Sequence, residues 1–154
     1  MTPPAFTARL VSHDWARFSE ASEVRYAVLH APFGVERHDE WDDDDPASRH
    51  VVALSEDDRV VGYGRLIVHG SDAQIRQVAV EPAWQGAGVG RVLVEALLRL
   101  AEAEGATAIW LNARVPAIGF YERLGFEARG GYFNTGKTSV PHRRMEYRDS
   151  AANR

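Results

Sequence analysis

The feature that most constrains this chain is a run of alternating glycines, Gly86-Ala87-Gly88-Val89-Gly90, lying between a strand-like and a helix-like stretch. Upstream, AQIRQVAV (Ala73 to Val80) reads as a strand that Glu81-Pro82 stops. Downstream, Val92, Leu93, Ala96, Leu97 and Leu100 recur at helical spacing, predicting a helix over Val89 to Ala103 that Gly105 ends. Glycine lets the chain turn sharply and lets a ligand approach main-chain N–H groups closely. A first helical turn leaves those N–H groups unpaired, and the helix dipole favours negative charge there. A diphosphate is the natural occupant. Arg91 is placed either to add one positive charge or to point to solvent.

The rest of the chain supplies the frame. Phe6 to Val11 (FTARLV) reads as a first strand, and Ser12 or Asp14 is a candidate cap for a helix carrying Trp15, Phe18, Val24, Ala27 and Val28, with a break permitted near Ser22. Pro32 and Gly34 end that segment. His50 to Ser55, Val60 to His69 and Ala73 to Val80 read as three strands, the first two joined by a tight turn over Glu56 to Arg59, so they form an antiparallel meander. After the glycines come a strand over Thr107 to Leu111 and a helix over Val115 to Leu124. Two closing strands follow, Phe126 to Tyr132 and His142 to Tyr147, with an NTGKTSVP loop between them. This order predicts an α/β layered fold, a mixed sheet with helices on both faces, in a single domain over residues 1–154.

Composition narrows the function classes. With 154 residues and a hydrophobic fraction of 45%, the chain can bury one core without a metal or disulfide. No cysteine is present, which removes thiol nucleophiles and thiolate metal sites. The six His are scattered, with no HExxH pair, and Asp42 to Asp45 lacks the spacing of a calcium loop, so no metal is expected. A formal charge of -4 argues against nucleic-acid binding. No signal segment or membrane-length apolar run is evident, so a cytoplasmic protein without membrane contact is expected. The acidic stretch Glu36 to Asp45 reads as a solvated loop or short helix, or as an electronegative lip that concentrates a cationic substrate.

GxGxG before a helix also occurs in nucleotide folds, but two observations disfavour them. Gly90 is followed by Arg91-Val92 rather than the Lys-Ser/Thr of a phosphate-binding loop. The next strand ends at Leu111-Asn112 rather than at an acidic ribose ligand. Instead, QVAVEPAWQGAGVGRVLVEALLRLAEAEG, together with IWLNARVPAIGFYERLGF, resembles the acyl-CoA binding core of the GCN5-related N-acetyltransferase (GNAT) superfamily, with Gln85 to Gly90 as its glycine loop. VRYAVLHAPFG, the acidic stretch and His50 are similar to a small uncharacterised branch of that superfamily, whose ending Val140 to Met145 echoes.

The resemblance implies that the central sheet is splayed. The strand Ile75 to Val80 would part from Ile109 to Leu111, and pantetheine of acetyl-CoA would lie in the gap beside Val78, Ala79 and Val80. The diphosphate would rest on the N–H groups of Gly86, Ala87, Gly88, Val89, Gly90 and Arg91, with Gln85 also among the coenzyme-binding residues. Asn112, at the strand tip, would bond pantetheine, steer the acceptor or cap the next helix, and Phe120 would face the core or the coenzyme. Tyr121 is expected to act at the departing thiolate as general acid, and a main-chain N–H near Val78 or Ala79 to face the thioester oxygen. Candidate bases for the acceptor are Glu36, His38, Glu40, His69 and His142, with Glu36 and His142 favoured. Without cysteine, direct transfer in one ternary complex is expected, onto a small amine or a peptide; a non-catalytic acyl-CoA sensor is the other class. A homodimer through a sheet edge or the last strands is a further expectation.

Overall fold

The structure is a computed structural model describing residues 5–34, 36, 47–134 and 140–148. Seven strands form one sheet: β1 (Phe6–Val11), β2 (Arg49–Ser55), β3 (Val60–His69), β4 (Asp72–Val80), β5 (Ala108–Arg114), β6 (Phe126–Asn134) and β7 (Pro141–Tyr147). Their order is β1-β2-β3-β4-β5-β7-β6, antiparallel throughout except for the parallel pair β4–β5. Among the described residues, three α-helices pack on it: α1 (Phe18–Leu29), α2 (Val89–Ala103) and α3 (Ile118–Arg123).

Each face of the sheet carries its own apolar cluster. Phe18, Ala21 and Val24 of α1 pack with Val52, Tyr63 and Ala79 on one face. Leu93, Leu97 and Ala101 of α2 pack with Ile75, Ile109, Leu111 and Met145 on the other, joined by Tyr121 of α3. The expected layered α/β arrangement with helices on both faces is therefore observed. Gly62 and Gly64 on β3 set how close α2 lies. A Cβ at Gly62 would stand 2.8 Å from Leu93 Cδ1, and one at Gly64 2.9 Å from Leu97 Cδ1. Side chains there would push the helix, and its N-terminus, off the sheet.

Three local expectations are corrected. The first helix begins at Phe18, and neither Ser12 nor Asp14 caps it: Ser12 Oγ donates to Asp14 Oδ1 at 2.5 Å, closing a turn before the helix. It also runs unbroken through Ser22, which is buried. The strand predicted to end at Leu111 continues to Arg114, because β7 pairs with it up to Arg114↔His142. The acidic positions 37–46, with His38 and Glu40, lie outside the described residues, as do residues 135–139 of the β6–β7 connection.

Candidate active site

β4 and β5 pair only from Asp72↔Ala108 to Ile75↔Leu111. Beyond Ile75, β4 remains paired to β3 alone, and beyond Leu111, β5 remains paired to β7 alone. The two strands thus part as expected. The parting coincides with a bulge: the β3–β4 register shifts between Tyr63 and Arg65, where Gln77 takes a positive φ of 60°. A non-glycine residue in that region is strained and persists where its surroundings hold it. Here Gln77 Oε1 accepts from Arg25 Nε at 3.2 Å and lies 3.3 Å from His30 Nε2. The bulge therefore turns β4 away from β5 while α1 pins it.

Past the bulge, Glu81 N–H donates to Val61 O on β3. Successive residues of an extended strand point their amides to opposite edges, so Val80 turns its own toward the vacated edge. Val80 O is already taken there by Gln85 Nε2 at 3.1 Å. The Gln85 side chain thus braces the strand end. Ala79 lies against the α1 cluster, whereas Val78 and Val80 pack toward α2.

The glycine loop then delivers the start of α2 to this opening. Gly86 and Gly88 adopt φ of 85° and 92°, which L side chains seldom reach, and no side chain caps the helix at Gly88. Among the described residues, the N–H groups of Gly86, Gly88, Val89, Gly90 and Arg91 take no backbone partner, the first α2 bond being Val92 N–H to Gly88 O. Five donors at the positive end of a 15-residue helix form an anion cradle. Gly90 is small for packing: a Cβ there would stand 3.2 Å from Phe120 Cζ, so Phe120 lies against the first turn of α2. Phe120 also lines a groove of about 520 Å³ with Arg91 and Arg123. Arg91 is exposed and paired with Glu95 at 2.7 Å, so its charge is already balanced on its own helix.

Tyr121 is buried between Phe120 and Phe126, at ring separations of 5.0 and 5.7 Å. Burial pushes its phenol far above the ordinary value, so it stays protonated at any working pH. Asn112 is neither strand tip nor helix cap; it is half-buried in mid-strand opposite Arg144, while Arg114 and Ala117 precede the following turns.

His142, at the start of β7, is buried, and its Nδ1 lies 2.7 Å from Val140 O. Facing a carbonyl, Nδ1 must donate, which leaves the lone pair on Nε2. Burial lowers the imidazole pKa, the Val140 bond opposes this, and the nearby Arg114 charge lowers it further. Glu36 is exposed. His69 is also exposed and pairs with Asp72, at the opposite end of β4 from the opening, so it does not belong to the site.

Sequence reading missed Arg114. It ends β5 on the α1 side, donates from Nη2 to Leu29 O at 2.7 Å, and lies 4.4 Å above the Phe33 ring. The signal was the alternation Ile109, Leu111, Ala113, whose continuation puts Trp110, Asn112 and Arg114 on the other face. Gln77 gave no signal, because nothing in its residue type favours a positive φ.

A sheet opened between parallel strands, beside a helix start with unpaired N–H groups, defines the acyl-CoA N-acyltransferase class. The chain belongs to the acetyltransferase (GNAT) family, whose model matches residues 10–126. Acetyl-CoA-dependent acetyl transfer is the activity that membership carries. It is 25% identical over 138 residues to an uncharacterised N-acetyltransferase, YjcF, of Bacillus subtilis, covering 88% of this chain and 96% of the other. It is 34% identical over 90 residues to the ribosomal protein bS18-alanine N-acetyltransferase of Salmonella typhimurium, covering 54% and 61%. An acyl-CoA N-acyltransferase structure from Pseudomonas aeruginosa superposes with a TM-score of 0.75 over 92% of this chain and 99% of that one, at 22% identity.

Proposed function

We propose that this protein moves the acetyl group of acetyl-CoA directly to a primary amine of a small molecule within one ternary complex. The observation that carries this reading is the parting of β4 from β5 beside the free N–H groups of α2. Pantetheine lies in the gap along Val78 and Val80, and the diphosphate sits on Gly86 to Arg91. His142 Nε2 takes the proton of the amine as its nitrogen attacks the thioester carbon. The C–N bond forms, the C–S bond breaks, and the electron pair leaves with sulfur. Tyr121 serves the departing sulfur as a hydrogen-bond donor. Its raised pKa lies above the ordinary thiol value of about 8.5, so donation without complete transfer contributes most. Glu36, which is exposed, ranks behind His142 as base.

A second reading, transfer to a protein N-terminus, is favoured by the Salmonella relative, whose name gives a ribosomal protein as its acceptor. Steady-state transfer of labelled acetyl to small amines and to peptides separates the two. Coenzyme binding with no transfer to either, and a Tyr121→Phe variant identical in every respect, would leave an acyl-CoA sensor.

A further inference from the structure

Arg114 differs from the arginines that pair with carboxylates. Arg17 pairs with Glu20 and Asp58, Arg49 with Glu104, Arg59 with Glu81, and Arg129 with Glu127. Arg114 is half-buried and meets no carboxylate among the described residues, only the Leu29 carbonyl and the Phe33 ring. Burial lowers its pKa, and no opposite charge among the described residues restores it. A guanidinium carries five N–H donors, and Leu29 takes one. A desolvated cation with spare donors is costly unless an anion completes it.

Its position says which anion. The helix start expected to hold the coenzyme diphosphate belongs to the α2 face, with Val89 in the α2 cluster. Arg114 reaches the C-terminus of α1 on the opposite face. Directly across the ladder from it stands His142, the base of the transfer reading on which this inference rests. Directly opposed residues point to the same face with Cβ atoms about 4.5–5.5 Å apart. A proton acceptor and a cation that close span one small head group, an amine with a carboxylate one or two carbons away.

We propose that Arg114 holds a carboxylate of the acceptor, making the substrate class an amino-acid-like amine rather than a polycation. The guanidinium fork takes the two carboxylate oxygens, Leu29 O and Phe33 fix its plane, and the amine is delivered beside His142.

The test compares glycine and β-alanine with their amides, and with 1,3-diaminopropane, as acetyl acceptors for wild type, Arg114→Met and Arg114→Lys. The expected result is a wild-type kcat/KM for the acids roughly 10- to 100-fold above the amides, lost through KM in R114M and partly kept in R114K. Acetyl-CoA affinity stays level across the three proteins, and the amides lose far less than the acids. Equal loss for acids and amides in R114M, or wild-type preference for amides or the diamine, overturns the proposal. Should R114M fail to fold, as read by its melting curve, the acid-to-amide ratio of R114K decides by the same criterion. If acetyl-CoA binds but no amine is acetylated, the transfer reading fails. Arg114 is then judged by calorimetry of N-acetylglycine with the CoA-saturated protein: binding by wild type that weakens in R114K sustains the anchor, and no binding by wild type, or equal binding by both, removes it.

Discussion

The two halves of the opening are built from different materials. On the α2 side, the groups proposed to face a ligand belong to the main chain: the amides of β4 past its bulge and five N–H groups within the contiguous run Gly86 to Arg91. On the α1 side they are side chains gathered from distant places, with Arg114 on β5 and His142 on β7 held near the end of α1. Main-chain recognition depends on backbone shape, which a short run of glycines specifies. Side-chain recognition depends on which elements the sheet order brings together, which no local run specifies.

The comparison breaks first on the coenzyme half. Substituting Gly88 by Glu places a charged side chain at a φ of 92° in front of the anion cradle. Affinity for acetyl-CoA should fall by about 100-fold or more, and the coenzyme-induced rise in melting temperature should vanish. An undiminished thermal shift in Gly88→Glu would mean that the phosphates lie elsewhere.

That half was also the more legible in the sequence. The strand before the glycines, the helix Val89 to Ala103 and the α/β class followed from spacing and punctuation, and the resemblance placed the opening between the correct strands. The acceptor half was not legible in the same way. Asn112 was read as a strand tip because the β7 pairing that extends β5 to Arg114 is a long-range fact. Gln77 was invisible because its positive φ is imposed by the bulge and held by Arg25 and His30, about fifty positions away. The reach of the Gln85 side chain back to Val80 O was likewise not legible in the loop pattern.

Chemistry should separate from binding at Tyr121. Phenylalanine there keeps the packing against Phe120 and Phe126 but removes the donor. The turnover number should drop on the order of 10- to 100-fold, with acetyl-CoA affinity little changed. Equal turnover under conditions where the acetyl transfer step is rate-limiting would take Tyr121 out of the reaction.

His142 sharpens the acceptor half through pH. Its lowered pKa keeps the imidazole neutral, and fit to accept a proton, below the ordinary value of about 6.5. The acid limb of kcat/KM should therefore lie below pH 6.5, and His142→Gln should remove that limb while slowing transfer roughly tenfold or more. Stability follows the same sign. The unfolded chain binds the proton more readily, so the His142 contribution is whole above about pH 6.5 and declines as pH falls toward the folded pKa. An unchanged profile in His142→Gln would pass the role to another base.

The smallest effect is expected behind the coenzyme half. Gly64→Ala sets a methyl 2.9 Å from Leu97 Cδ1, under α2. It should cost about 1–3 kcal/mol of stability, seen in denaturant unfolding, with a modest loss of coenzyme affinity as the helix start shifts. No change in either would mean that α2 is not held in place by its closeness to β3.

Amide hydrogen exchange with and without acetyl-CoA tests the division most directly. The account predicts slowed exchange at Gly86 to Arg91 and at Val78 and Val80, with little change along β1. Protection spread evenly over the sheet, or confined to sites away from the β4–β5 opening, would contradict it.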